Sequence, residues 1–343
     1  MVKRFLLGFL VLSVLVSCKR PREKDELAVA ELYLLEQDGK YGYIDRNCNF
    51  VITPQFDWAQ GFSEGLAVMR IGAIIGGKWG YIDKSGKYVS KPRFDWAWPF
   101  SEGLGNVGID GKWGYIDKSG KIVINPQFDS AGRFSEGLAD VKIGDKYGYI
   151  DKKGKIVINP QFDIAWSFSE GLALVKIGDK WGYIDKSGKI VISPQFDEAH
   201  DFHEGLAAVE IGDKYGYIDK SGEFVINPRF NWAWDFSEDL AAVKIGKKYG
   251  YIDKNGRIVI KPQFDLAFPF SEGLARVNIG GHGEYYEIIK GGKWGYIDKS
   301  GKYVVEPQFD YADDFREGLA WVQIGDRKTY IDKSGRDICG PRQ

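Results

Sequence analysis

The residue types that do chemistry recur in this chain at even spacing. An Asp closes each Tyr-Ile-Asp triplet from Asp45 to Asp332, and Glu64, Glu102, Glu136, Glu170, Glu204, Glu238, Glu272 and Glu317 fall once per connector. Carboxylates that hydrolyse glycosides work as one asymmetric pair, a raised acid and an ionised base. Eight equivalent glutamates read as a repeated structural bond instead. The Asp mostly precedes Lys-Ser-Gly, a turn in which its side chain accepts from local amides. Gly-Tyr-Ile-Asp-Lys-Ser-Gly-Lys has five residues between its glycines, not the four of a phosphate loop, and no Ser or Thr after the Lys. His200, His203 and Glu204 form the one metal-like spacing and read as variant surface residues. No nucleophile–base set is present, so we expect no enzyme activity, no cofactor and no metal.

Composition narrows the class. The chain has 343 residues, 44% hydrophobic, with 47 Lys+Arg against 48 Asp+Glu. A net charge of −1 argues against a nucleic-acid binder, and the apolar content excludes disorder. Gly is 44 and aromatics are 15%. The Gly share exceeds the usual ~7%, as many tight turns between short strands require. Three cysteines do not make a disulfide framework.

The N-terminus carries an address. Lys3 and Arg4 precede an apolar run from Phe5 to Val16, of secretory length and too short to span a bilayer. It ends in Leu15-Val16-Ser17-Cys18, which resembles a bacterial lipobox. The resemblance implies diacylglycerol on Cys18 and cleavage before it, giving a membrane-anchored lipoprotein of the cell envelope on the extracytoplasmic side. Residues 1–17 are then the signal peptide and 18–31 a lipidated tether.

The remainder is one motif repeated. Tyr43, Tyr81, Tyr115, Tyr149, Tyr183, Tyr217, Tyr251 and Tyr296 sit in Gly-Tyr-Ile-Asp, mostly 34 residues apart, and Tyr330 marks a degenerate ninth copy. Such a period defines a repeat architecture. Lys180-Trp181-Gly182-Tyr183-Ile184-Asp185 and its counterparts resemble the bacterial WG (KWG) repeat family, over nearly all of residues 32–339. That family is defined by its repeat, and the resemblance implies no reaction. In the fifth copy, Leu172–Ile177, Trp181–Asp185 and Lys189–Ile192 read as strands a, b and c of a meander, with short Gly-containing links. Pro194 should end strand c. Phe196, Ala199 and Phe202 suggest a helical turn in the connector.

The array is therefore all-β: nine three-stranded meanders over 32–339, with 340–343 a tail. Neither end supplies a stray strand to the other, so an open solenoid-like superhelix is the favoured arrangement and a closed β-propeller-like ring the alternative. In an open array Cys48 and Cys339 lie at opposite ends, and no disulfide is expected between them.

Positions that vary between copies are those free for recognition. The first connector position after Phe-Asp holds Trp58, Trp96, Ser130, Ile164, Glu198, Trp232, Leu266 and Tyr311. Two residues on stand Gln60, Trp98, Gly132, Trp166, His200, Trp234, Phe268 and Asp313. Exposed Trp anchors interfaces. We expect a monomeric, non-catalytic binding or scaffold protein whose ligand sites are Trp58, Trp96, Trp98, Trp166, Trp232 and Trp234. Tyr285 and Tyr286 join them, from an insertion at Gly281–Gly291. A second insertion, Ala73–Gly76, falls at the same hairpin. The partner is expected to be a protein, with envelope or cell-wall polysaccharide as the alternative. Lysines of the b–c turns, such as Lys186 and Lys189, read as a solvated edge. Cys18→Ser should abolish acylation and membrane retention; fractionation in which the variant partitions like wild type would defeat the lipobox assignment.

Overall fold

The computed structural model describes residues 31–282 and 290–340. Nine small antiparallel sheets follow one another along the chain, and every described strand pairs only within its own sheet. In the fifth blade strand a (Leu172–Ile177) pairs with b (Lys180–Asp185), and b with c (Ile190–Phe196). The connector leaving one blade adds a short strand to the next. That strand is two residues long in most blades, as at Trp58–Ala59, and six at Ile164–Ser169. The expected helical turn is therefore a strand: the connector amides pair with strand a, as His200 N does with the Ala208 carbonyl at 2.9 Å.

Strand c also runs further than expected, through Pro194 to Phe196. Trp181 pairs with Phe196 and Tyr183 with Ile192, so Ser193, Pro194 and Gln195 bulge opposite Gly182. A bulge is where a sheet tolerates proline. A Cβ on Gly182 would stand 2.6 Å from the Ile192 carbonyl oxygen and from Pro194 N, so only glycine lets the bulge in.

Strand b is the core of each blade. Its Tyr and Ile, such as Tyr149 and Ile150, are fully buried. Strand c is the outer edge, with alternate residues exposed. Side chains of successive connectors bond directly: Ser63 Oγ donates to the Phe100 carbonyl (2.8 Å), Ser101 to Phe134 (2.7 Å) and Ser135 to Phe168 (2.6 Å). Radiating sheets allow this only where they converge, so the connectors form the inner rim. The a–b hairpins then crown one face and the b–c turns the other.

The array is a closed ring, a nine-bladed β-propeller, and the open superhelix is corrected. Tyr330 of the ninth blade donates to the Leu34 carbonyl of the first at 2.8 Å. Lys328 pairs with Glu36, and Arg46 donates to the Glu317 carbonyl. Tyr33, Ile44 and Leu319 share one apolar cluster with Leu35, Tyr330 and Ile338. Cys48 and Cys339 form a disulfide with Cα atoms 5.4 Å apart, which overturns the expectation of none. The absent strand clasp misled the sequence reading. The first and ninth blades are indeed three-stranded, but side chains and a disulfide close the seam.

The ring also closes in register. In seven other interfaces the turn glycine of one blade rests on an Ile or Val of the previous strand c; a Cβ on Gly222 would lie 3.2 Å from Ile192 Cγ2. Cys48 and Cys339 occupy those two positions. Tyr33 stands where the other units carry Ala or Gly, and its ring meets Tyr330 at 5.4 Å, as the connector Phe62 meets Tyr43 at 4.8 Å. Tyr33 thus substitutes for the aromatic that the missing connector would bring.

Gly182→Ala should cost about 2–3 kcal/mol by chemical denaturation, because the added methyl meets backbone. Gly61→Ala, with nothing within 4 Å, should stay within about 0.5 kcal/mol. Equal effects would show that the bulge yields to the methyl.

Candidate functional site

Scaffold bonds consume the recurring polar residues. Asp185 Oδ1 accepts from Ser187 N, Ser187 Oγ and Lys189 N, fastening its own turn. Asp95 accepts from the Asp110 amide at 2.8 Å and pairs with Lys78; that lysine and amide hold its carboxyl below the usual range. Glu102 accepts from the Gly137 amide of the next connector at 3.0 Å and pairs with Lys152 at 3.0 Å. Burial alone would raise the Glu102 carboxyl, but Lys152 and the Gly137 N–H overcome it and hold it low. The same Glu–Gly–Lys arrangement recurs at Glu64, Glu136, Glu170, Glu238 and Glu272, with Asp239 in place of the Gly at Glu204. It forms a belt on the b–c face, so these turn lysines are charge-compensated there.

One more scaffold bond sets the recognition positions. Tyr81 donates to the Trp98 carbonyl, Tyr149 to Trp166 and Tyr183 to His200, each at 2.7 Å. The backbone of the second variable position is thereby clamped, whatever its side chain. Trp98 is 49% exposed and Trp166 54%. Trp96 is also 54% exposed, its ring 5.9 Å from Trp79, which Trp58 meets edge-on at 4.8 Å.

The six connector tryptophans divide. Trp96, Trp98 and Trp166 project into solvent, and Trp58 is half-buried. Trp232 is buried at 7%, between Tyr215 (5.0 Å) and Trp234 (6.0 Å). Trp234 is partly covered by Phe268 at 5.1 Å. Ile74 and Ile75 of the first insertion are nearly fully exposed in the Gly72–Gly77 hairpin loop. The second insertion lies at the corresponding a–b hairpin, between Ala275–His282 and Lys290–Ile297. Cys18, Tyr285 and Tyr286 lie outside the described residues.

The structure adds polar groups that the sequence reading passed over. Position three of strand a is Leu34, Val68, Leu174, Ala208 or Ala242 in five units but Asn106, Asp140 and Arg276 in three others. Asp140 packs on Gly132, where a Cβ would collide with its carboxylate, and lies 3.5 Å from Ser167 Oγ. Burial, with the charge of Asp201, pushes the Asp140 carboxyl up to about 6. Burial and Asp235 likewise raise Asp201. Asp235 holds His200 Nδ1 at 2.9 Å and lies 3.7 Å from His203 Nε2. Burial would lower the His200 ring, but Asp235 outweighs it and the net shift is upward. No described Lys or Arg pairs with Asp140, Asp201 or Asp235. Two blades further, Arg276 lies 3.8 Å over the Phe268 ring, pairs with Asp314 at 2.8 Å and donates to the Ala312 carbonyl. These residues were legible as charges in an otherwise apolar column. Among the described residues no three His, Cys, Asp or Glu side chains are grouped to hold a metal.

These features define a repeat propeller whose fixed polar groups build the ring and whose variable positions gather on the inner rim and the a–b face. The model of the WG containing repeat matches residues 41–73, 79–113, 113–147, 147–181, 181–215, 215–249, 249–281 and 294–327. The chain belongs to the WG repeat family. No curated protein sequence matches it. Among solved structures it is similar to Hsv2p of Kluyveromyces lactis, at 9% identity and TM-score 0.43 over 68% of this chain and 90% of that one. It is also similar to PorZ of the Porphyromonas gingivalis type-IX secretion system, at 8% identity and TM-score 0.34 over 91% and 51%.

The pH dependence of stability should report the half-buried acid, Asp140. A carboxyl raised from 3.8 to about 6 is destabilising when ionised. The folded state holds the proton more tightly, so stability is gained as pH falls through about 6 and the gain is complete near the unfolded value of ~3.9. Asp140→Asn should therefore stabilise the ring by about 2–3 kcal/mol at pH 7.5 and lose that advantage by pH 4. A pH-independent difference between variant and wild type would place the carboxyl in water.

Proposed function

We propose that this chain is a non-catalytic binding platform, lipid-anchored on the extracytoplasmic side of the cell envelope, that captures a protein partner through exposed connector aromatics. One observation carries the reading. Trp98 and Trp166 are held by their backbones through Tyr81 and Tyr149 while their indoles stand half in solvent. A scaffold role would not leave such surface open, whereas interface anchors combine a rigid mount with an exposed aromatic. Trp96 extends the surface, and Trp232 belongs to the packing. The Cys48–Cys339 bridge supports an oxidising compartment. The compensated Lys–Glu belt and the near-zero net charge speak against nucleic acid.

The second reading is an envelope polysaccharide. Flat, half-exposed indoles on a ring of variable polar residues would also stack on sugars. Cross-linking in envelope extract and pull-down on purified cell-wall polysaccharide separate the two. Trp98→Ala with Trp166→Ala should weaken capture at least tenfold, since an interface anchor is worth about 2 kcal/mol, and leave the melting temperature near wild type. Trp232→Ala should lower the melting temperature instead, by the about 3–5 kcal/mol of a core aromatic. Undiminished capture by the double variant would end the proposal.

A further inference from the structure

We propose that the Cys48–Cys339 disulfide is a redox latch on the ring, whose reduction by a dithiol parts the first and ninth blades while the other eight interfaces hold. Eight interfaces are spanned by an unbroken chain and by a connector that leaves one sheet and joins the next. Among the described residues the ninth has neither. Its other ties include Tyr330 to the Leu34 carbonyl, Tyr33 and Arg46 to the Glu317 carbonyl, the Tyr33–Tyr330 ring contact, the exposed Lys328–Glu36 pair, and a cluster with three buried members. Exposed ion pairs contribute little, so the disulfide is the seam's one covalent closure, joining residues 291 apart in sequence.

The repeat itself marks these cysteines as special. Where other turns carry Gly, Cys48 adopts a φ of +61°, a region that L side chains other than Asn and Asp seldom enter. Where seven other strands c carry Ile or Val and one carries Ser90, Cys339 stands. At the one interface that lacks a described connector both columns carry Cys. Cys48 is only half-buried and is flanked by the exposed Arg46, Asn47 and Asn49, so an attacking thiolate can reach the bond. Reduction balances as an exchange. One thiolate of the dithiol attacks a cysteine sulfur and releases the other as thiolate, and the second thiol then displaces the protein. The products are two protein thiols and a cyclic disulfide, with two electrons transferred. Opening the ring there would also release the spacing of the inner-rim positions.

Hydrogen exchange on the full-length chain, oxidised and after dithiothreitol, tests the latch. Reduction should accelerate exchange at least tenfold in Tyr33–Gln37, Leu319–Ile324 and Arg327–Asp332 and leave the strands between Ser130 and Phe230 unchanged. The Cys48→Ser/Cys339→Ser variant should show the same pattern without reductant and no further change with it, which separates the effect from Cys18. Unchanged exchange at the seam would overturn the proposal. So would uniform acceleration around all nine blades, the mark of a global staple.

Discussion

A phenol buried in a β-sheet must find an acceptor, because an unpaired polar group in a dry core costs more than the hydrogen bond returns. In this ring the acceptor lies 17 residues downstream, on the connector that leaves the blade: Tyr43 to Gln60, Tyr115 to Gly132, Tyr251 to Phe268. Burial drives these phenols well above their ordinary pKa, so they remain donors. The bond fixes the connector's path and hence the angle at which the next sheet begins. The belt of connector glutamates locks the same neighbours from the b–c side. The ring follows from one interface made nine times.

The ninth making is the exception that shows what the rule requires. No described connector reaches the first blade, so Tyr330 donates to the Leu34 carbonyl, the counterpart of Val68, which in the second blade accepts from the Gln60 amide. Tyr33 fills the place of the connector phenylalanine. Each substitution restores one function of the missing strand. The disulfide alone has no functional counterpart elsewhere in the ring.

The meander and its strand order were legible, because Gly-containing links and alternating strands are local signals. The scaffold role of the repeated Asp and Glu was legible from their equivalence. Closure was not. Among the described residues neither end carries a strand to clasp the other, and a repeat period carries no sign of whether the curvature completes a circle. The signal lay in Tyr33 and the two cysteines, which break their columns where a ring would bring them together. At the site, equal variability at Trp98 and Trp232 concealed that one indole is exposed and the other buried, because burial depends on which aromatics the neighbouring blade supplies. Asp140 was passed over because it sits in strand a, outside the connectors that drew attention.

The Tyr–connector bond also explains how recognition is added to such a scaffold without weakening it. Its acceptor is a backbone carbonyl, present in every residue. The second connector position can therefore be Trp98, Gly132, Trp166, His200 or Asp313 and still accept at 2.7–2.8 Å. Side-chain identity and fold stability are decoupled there. They are coupled at Tyr183 or Gly182, where a hydroxyl or a missing Cβ is itself the contact. Once Gly132 leaves space, the neighbouring strand can place Asp140 in it, and a charge enters the inner rim with no change to the frame. Variation in this ring is therefore confined to side chains that the backbone already supports, and for that reason the inner rim can carry aromatics and acids side by side, as at Trp166 with Asp140 beside Ser167 and at Trp234 with Asp235.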